Sequence, residues 1–250
     1  MSFSRVGLCR TLLVLLFALE SRPAEAVRPF ITDDARVVGA RTMQLETWIQ
    51  VDRLSVQHWV LPAFGPTDWL ELTIGAVHGF VDASAAKEYS IAGPLLQAKT
   101  LLYRGRESGP PAFGFVVGAL TPGGTGPLSF ALVAPFAYAV VTESLLSEER
   151  LLIHANIGVG RNAAVSGWDP SLTAGFGTQI QLHGGLKGVA EIFWNDAYVG
   201  DTGAAWQAGV RYVIGDHIQV DTTCGSGFGR DSARATWLGA GLRMVGSPMW

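Results

Sequence analysis

The sequence predicts an all-β chain closing into a transmembrane antiparallel up-and-down β-barrel of about 12 strands. Three observations carry that prediction. Mean hydropathy is +0.27 and 48% of residues are apolar, yet past residue 20 no apolar run reaches the roughly 20 residues that a spanning helix needs. The apolar residues instead alternate with polar ones or glycine, in short segments separated by Gly, Pro, Asn and Asp. Only 16% of the chain is charged, where about a quarter is usual for a water-facing exterior. A soluble β-sandwich also alternates. Here the non-apolar faces carry Glu, Gln, Asp, Arg, Thr and abundant Gly, which is the inverted pattern of a barrel that is apolar outside and polar inside.

Residues 1–26 read as an export signal. Arg5 and Arg10 give a positive start, Thr11 to Leu19 form an apolar stretch too short to span, and Ala24-Glu25-Ala26 offers small residues for cleavage. Cleavage removes three positive charges (Arg5, Arg10, Arg22) and two negative ones (Glu20, Glu25). That leaves 15 positive against 19 negative charges, a net of −4. Mild acidity without a basic stripe argues against nucleic acid as a partner. Cys224 is then the one cysteine left, so no intramolecular disulfide and no cysteine zinc site is expected. Residues 27–41 precede the first strand and are assigned as a periplasmic N-terminal segment, with insertion into the lumen as the alternative. Residues 42–250 form the barrel.

The strands follow from period two. In residues 43–52, Met43, Leu45, Thr47, Ile49 and Val51 oppose Gln44, Glu46, Gln50 and Asp52. In residues 69–79, Leu70, Leu72, Ile74 and Ala76 oppose Glu71, Thr73 and Gly75. The fourth strand is interrupted by Gly93-Pro94, and the sixth contains Pro135; a proline cannot donate to the ladder, so both mark distortions. In residues 172–182, Leu172, Ala174, Phe176, Ile180 and Leu182 oppose Thr173, Gly175, Gly177, Gln179 and Gln181. In residues 206–214, Trp206, Ala208, Val210, Tyr212 and Ile214 face away from Gln207, Gly209 and Arg211. The last strand runs near residues 235–245.

With a periplasmic amino terminus, Gly65-Pro66-Thr67, His183-Gly184-Gly185 and Gly215-Asp216-His217 are periplasmic turns. Residues 82–87, 121–128, 162–170, 195–204 and 225–235 are longer outer loops. The turn at Arg53 and Leu54 is short for an outer one, and residues 143–150 are long for a periplasmic one. Trp69 lies at the periplasmic end of the third strand, and Trp194 and Trp206 flank the outer loop between the ninth and tenth, positions where tryptophan suits a membrane interface. Trp48 and Trp237 fall on the lumen side. Trp250 ends the chain with the aromatic residue that barrel assembly machinery commonly reads, although Pro248 interrupts the approach to it.

Arg28-Pro29-Phe30-Ile31-Thr32-Asp33-Asp34-Ala35, Gln44-Leu45-Glu46, Leu70-Glu71-Leu72-Thr73-Ile74-Gly75 and Gly215-Asp216-His217-Ile218-Gln219-Val220-Asp221 resemble a bacterial family. Its members are outer-membrane barrels described as transporters or as meta-pathway phenol-degradation proteins. The resemblance covers most of the mature chain on short motifs. It implies a barrel of roughly twelve strands, passage of small, aromatic solutes, and no catalytic motif.

By parity the lumen contains Glu46, Asp52, Glu71, Glu191 and Asp221, with Lys99, Arg211 and Arg243 as positive counterparts; His58, His154 and Asn156 also point inward. Charges in a narrow barrel must be paired or hydrated. Two readings follow: a charge-lined conduit that filters solutes, or an ion-pair network that fills a small lumen. His154-Ala155-Asn156 invites comparison with the histidine and asparagine of an outer-membrane lipid hydrolase, but both face inward and no serine sits in a local motif. The five histidines do not cluster as metal ligands. Asp33-Asp34 offers two carboxylates to a cation, yet an adjacent pair reads first as a solvated turn. Gly225-Ser226-Gly227-Phe228-Gly229 lacks the lysine and the helix of a phosphate loop. The expected function is passive passage of small solutes across the bacterial outer membrane, with no cofactor, no metal and no enzyme activity. Membrane lipid and the barrel assembly machinery are the expected partners. A structural or interaction barrel with an occluded lumen is the alternative.

Overall fold

The computed structural model describes residues 30–83, 86–106, 109–161, 168–198, 200–228 and 235–249; the expected signal at 1–26 and the terminal Trp250 lie outside them. Alternation produces fourteen strands: β1 (Thr42–Asp52), β2 (Ser55–Thr67), β3 (Leu70–Ala83), β4 (Ala86–Ala92), β5 (Leu95–Tyr103), β6 (Ala112–Leu120), β7 (Gly124–Thr125), β8 (Ala134–Leu145), β9 (Leu151–Arg161), β10 (Pro170–His183), β11 (Leu186–Asp196), β12 (Gly200–Ile214), β13 (Ile218–Gly227) and β14 (Trp237–Val245). Each neighbour is antiparallel, and β1 pairs with both β2 and β14, so the sheet closes.

Twelve staves make the wall. The fourth is split at Gly93-Pro94: β4 pairs with the far half of β3, from His78 to Ala83, and β5 with its near half, from Leu70 to Gly75. The two-residue β7 covers the end of β4. Pro135 is the second residue of β8, opposite Ala119, where a missing donor is tolerated.

β1 begins and β14 ends at one rim, called here the terminal rim. Its turns at Asp68 and Trp69, at residues 146–150, at Gly184 and Gly185 and at residues 215–217 are short, while β5 and β6 are further apart in sequence. At the opposite rim the strand ends are separated by longer stretches of sequence, from β6 to β8, from β9 to β10 and from β13 to β14. Two expected loops there are largely strand: β3 and β4 extend over most of residues 82–87, and β11 and β12 over most of residues 195–204.

The wall is inverted relative to a soluble protein. Along β1, Gln44 and Glu46 are buried while Met43 and Ile49 are exposed. Along β10, Ser171, Thr173 and Gln179 are buried while Leu172, Phe176 and Ile180 are exposed. Leu72, Ile74, Ile157, Ile192 and Leu238 continue the apolar belt around the outside. An apolar surface this extensive exceeds what a water-facing monomer exposes.

Candidate functional site

Eight strands leave a bore that side chains just fill, and sixteen leave a water channel. Twelve lie between, and the surplus volume holds a segment of the chain itself. Residues 30–38 run inside the lumen, the alternative expected for this segment beside a periplasmic position, and residues 39–41 lead to β1 at the terminal rim. The physical reason is that the wall supplies a charged or polar partner at almost every step. The Ile31 and Thr32 amides donate to the two carboxylate oxygens of Glu191 at 2.9 and 2.7 Å. Asn156 Nδ2 donates to the Ile31 carbonyl at 3.2 Å. Asp33 receives Lys99 Nζ at 2.7 Å and the Tyr138 hydroxyl at 3.0 Å. The Ala35 amide donates to Thr142 Oγ1 at 2.9 Å, and the Val38 amide to Glu71 at 2.8 Å. Arg36 bonds Asp34 and reaches Glu149 at 2.8 Å.

Asp33 and Asp34 are therefore not a solvated turn: they are 5% and 0% exposed. Burial alone would raise the Asp34 carboxyl, but the guanidinium of Arg36 beside it, helped by Lys99, holds it well below the usual carboxylate range. Two glycines make room for the strap. A Cβ on Gly65 would lie 1.9 Å from the Gly39 carbonyl oxygen, and one on Gly175 would lie 2.4 Å from Thr32 Oγ1. Phe30 lies under the Arg211 guanidinium, 5.8 Å from its carbon to the ring centre, and packs on Val189.

Wall charges are paired across the strands by register. Glu71 faces Lys99, Glu46 faces Arg243, and Arg211 faces Asp221. Arg243 Nη2 donates to Gln44 Oε1 at 2.7 Å, and Arg211 Nη1 to Gln179 Oε1 at 2.5 Å. Glu191 also receives Gln207 Nε2 at 2.6 Å. Glu46, Glu71, Lys99, His154, Glu191, Arg211, Asp221 and Arg243 are all buried in this lumen. Spaces of about 10 Å³ remain beside Lys99 and beside Arg243, each room for about one water.

Asp52 stands at the opposite rim, where its carboxylate accepts the Leu54 and Ser55 amides at 2.6 and 2.7 Å and so closes the β1–β2 turn. His154 Nδ1 meets Thr142 Oγ1 at 3.0 Å deep inside, and Asn156 is committed to the strap; the hydrolase comparison has no lipid-facing site at these two residues. His58 is the one predicted lumen residue that faces out. It pairs with the exposed Ile49 and with His78. The bore on β2 is occupied instead by Trp59, stacked on Trp48 with ring centres 5.2 Å apart. Trp69 and Trp194 are well exposed on the outward face, and Trp206 is at the margin of exposure.

Toward the opposite rim the filling is aromatic. Asn195, with a left-handed φ of 59°, accepts the Thr202 and Gly203 amides at 3.1 and 2.8 Å and donates to the Leu172 carbonyl at 2.9 Å. That fold-back inserts Ala197 and Tyr198 into the bore. Tyr198 meets Phe136 edge-on at 5.0 Å and donates to Gln97 Oε1 at 3.0 Å. Trp48, Leu61, Leu95, Val116 and Tyr138 complete the cluster. The strap and Tyr198 were invisible to alternation, because neither lies within a period-two segment. At the terminal rim, a cavity of about 420 Å³ opens between Arg36, Val37 and Val38 of the strap and Arg104, Arg106 and Pro111 of the wall.

The barrel is similar to solved outer-membrane channels. A COG4313 outer membrane channel from Pseudomonas putida F1 matches with a TM-score of 0.67 at 13% identity, over 85% of this chain and 98% of that one. The KdgM porin matches with a TM-score of 0.53 at 9% identity, over 80% and 98%. The same porin in complex with disordered oligogalacturonate gives 0.55 at 9% identity, over 81% and 98%. No protein-family model matches the sequence, and no curated protein does. At these identities the likeness shows the fold.

Proposed function

We propose that this chain is an outer-membrane channel for small solutes, closed in the present conformation by residues 30–41. The observation that carries the proposal is a closed apolar-sided barrel whose bore is filled by a strap held through hydrogen bonds and ion pairs, with no covalent tie among the described contacts. A part held that way can leave and return. The terminal rim, with its shorter turns, faces the periplasm, and the chain lies in the outer-membrane lipid of a Gram-negative bacterium after insertion by the assembly machinery.

The aromatic lining favours small aromatic or otherwise hydrophobic solutes, which the resemblance to phenol-degradation barrels also suggests. Rings entering the bore meet Trp48, Trp59, Phe136, Tyr138 and Tyr198, whose faces and edges stack on aromatic guests. The cavity at the terminal rim is the matching vestibule. The test is conductance of the refolded protein in a planar bilayer, full-length and with residues 30–38 deleted. Discrete steps in the deleted form, blocked by phenolic solutes, support the channel. A folded but silent deleted form supports the second reading, a permanently occluded barrel, which the water-sized lumen spaces favour.

A further inference from the structure

A hydrogen-bonded chain crosses four staves on the outward face, where apolar side chains would suffice. Thr47 Oγ1 on β1 lies 2.7 Å from His58 Nε2 on β2. His58 Nδ1 lies 3.0 Å from His78 Nε2 on β3, and His78 Nδ1 lies 3.0 Å from the Tyr89 hydroxyl on β4. The two imidazoles are directly opposed in register. Phe80 and Tyr89, both exposed, pack edge to face beside them at 5.3 Å.

With both rings neutral, one arrangement of protons satisfies every contact in this chain. Thr47 donates to the Trp59 carbonyl at 2.9 Å, which can only accept. Its oxygen therefore accepts from His58 Nε2–H. His58 Nδ1 is then a bare lone pair, filled by His78 Nε2–H, and His78 Nδ1 accepts from Tyr89. Two half-buried imidazoles thus share a single proton at the membrane face, and an ionisable pair in such a place marks a site by default.

We propose that His58 and His78 form a two-nitrogen site for a divalent transition ion, Cu²⁺, Ni²⁺ or Zn²⁺, on the outward face of the barrel. Metal–nitrogen bonds of about 2.0–2.1 Å place two ligand nitrogens roughly 2.9 Å apart at a right angle and about 3.4 Å apart at a tetrahedral one. The observed 3.0 Å lies in that range, so an ion standing off the line between the two nitrogens reaches both once each ring turns its lone pair toward it, with their separation unchanged. His58 already presents its lone pair. His78 shifts its proton from Nε2 to Nδ1, the Tyr89 hydroxyl turns to accept it, and the proton count is unchanged. Each ligand then keeps an outer partner on its other nitrogen, Thr47 for His58 and Tyr89 for His78, as ligating histidines require. Imidazole selects these ions over Mg²⁺ and Ca²⁺. Among the described residues no three His, Cys, Asp or Glu side chains converge, so water completes the coordination.

The test uses the full chain folded in detergent, with the exposed His183, His217 and Cys224 removed by H183A, H217A and C224S to lower background. Titration with Ni²⁺ or Zn²⁺ should show one ion per chain, and Cu²⁺ should give an electron paramagnetic resonance spectrum with two nitrogen ligands. H58A and H78A should each weaken binding at least tenfold and reduce the spectrum to one nitrogen. T47V and Y89F should weaken binding by about 10-fold or more while keeping both nitrogens. Binding undiminished in the H58A/H78A double variant, or no stoichiometric binding by a background protein whose heat-modifiable gel mobility shows it folded, overturns the proposal.

Discussion

The two fillings of the bore differ in kind. Residues 30–41 are an irregular strap contributed from outside the wall; most of its hydrogen bonds go to charged groups, and Ala35 and Val37 pack on Leu101, Ala112 and Val140. The Tyr198 plug belongs to the β11–β12 hairpin; its side chain is fixed by ring contacts and a hydrogen bond to Gln97, and its backbone amide by the Asp196 carboxylate. Charged contacts are directional and are lost together when the partner is removed; ring packing is tolerant and leaves by degrees. In the proposed channel the strap is therefore the switchable element and the aromatic plug the shaping one. Tyr138 joins the two, with its ring in the aromatic cluster and its hydroxyl on Asp33.

That contrast can be broken or sharpened by experiment. The largest effect is expected from deleting residues 30–38, which should turn a silent barrel into one with discrete conductance steps in a planar bilayer. Next, Lys99→Met leaves the buried Asp33 carboxylate without its cation, and should cost about 3–5 kcal/mol in urea unfolding of the detergent-folded protein; the Lys99→Met/Asp33→Leu double variant should regain part of it, since Glu71 still lacks the lysine it faces. Recovery in the double variant is the sign that the loss came from a stranded charge. Tyr198→Ala should leave the full-length protein closed but raise the conductance of the strap-deleted form, because it widens only the aromatic end. An equal conductance in the presence of the strap would contradict the division drawn here. The smallest effect belongs to Tyr198→Phe, which removes one neutral hydrogen bond and should shift stability by about 0.5–1.5 kcal/mol.

The wall was legible in the sequence because period two is a local signal. Parity placed Glu46, Glu71, Lys99, Glu191, Arg211, Asp221 and Arg243 inward, and Trp48 and Trp237 with them, all of which are buried. The break at Gly93-Pro94 was readable for the same reason. His58 failed because Trp59 to Phe64 is apolar throughout, so nothing in β2 marks which face is which; the Trp48–Trp59 stack decides it, and that is a contact between strands. Asp33 and Asp34 failed because their partners include Lys99, Tyr138 and Thr142, far along the chain. The stretch around Asn195 looked like loop because Asn, Asp and Gly are turn formers, yet here Asn195 uses its left-handed backbone to fold a hairpin inward.

The strap's anchors lie 33, 66, 107 and 159 residues further along the chain, at Glu71, Lys99, Thr142 and Glu191. Closing loops of that length costs entropy that only an assembled wall repays. The Glu191 anchor consequently does not exist until β11 has joined its neighbours, so the described residues nearest the amino terminus are secured among the last. Maturation of this protein then has a late, separate step: a barrel already closed and inserted that has yet to seat its own leading segment.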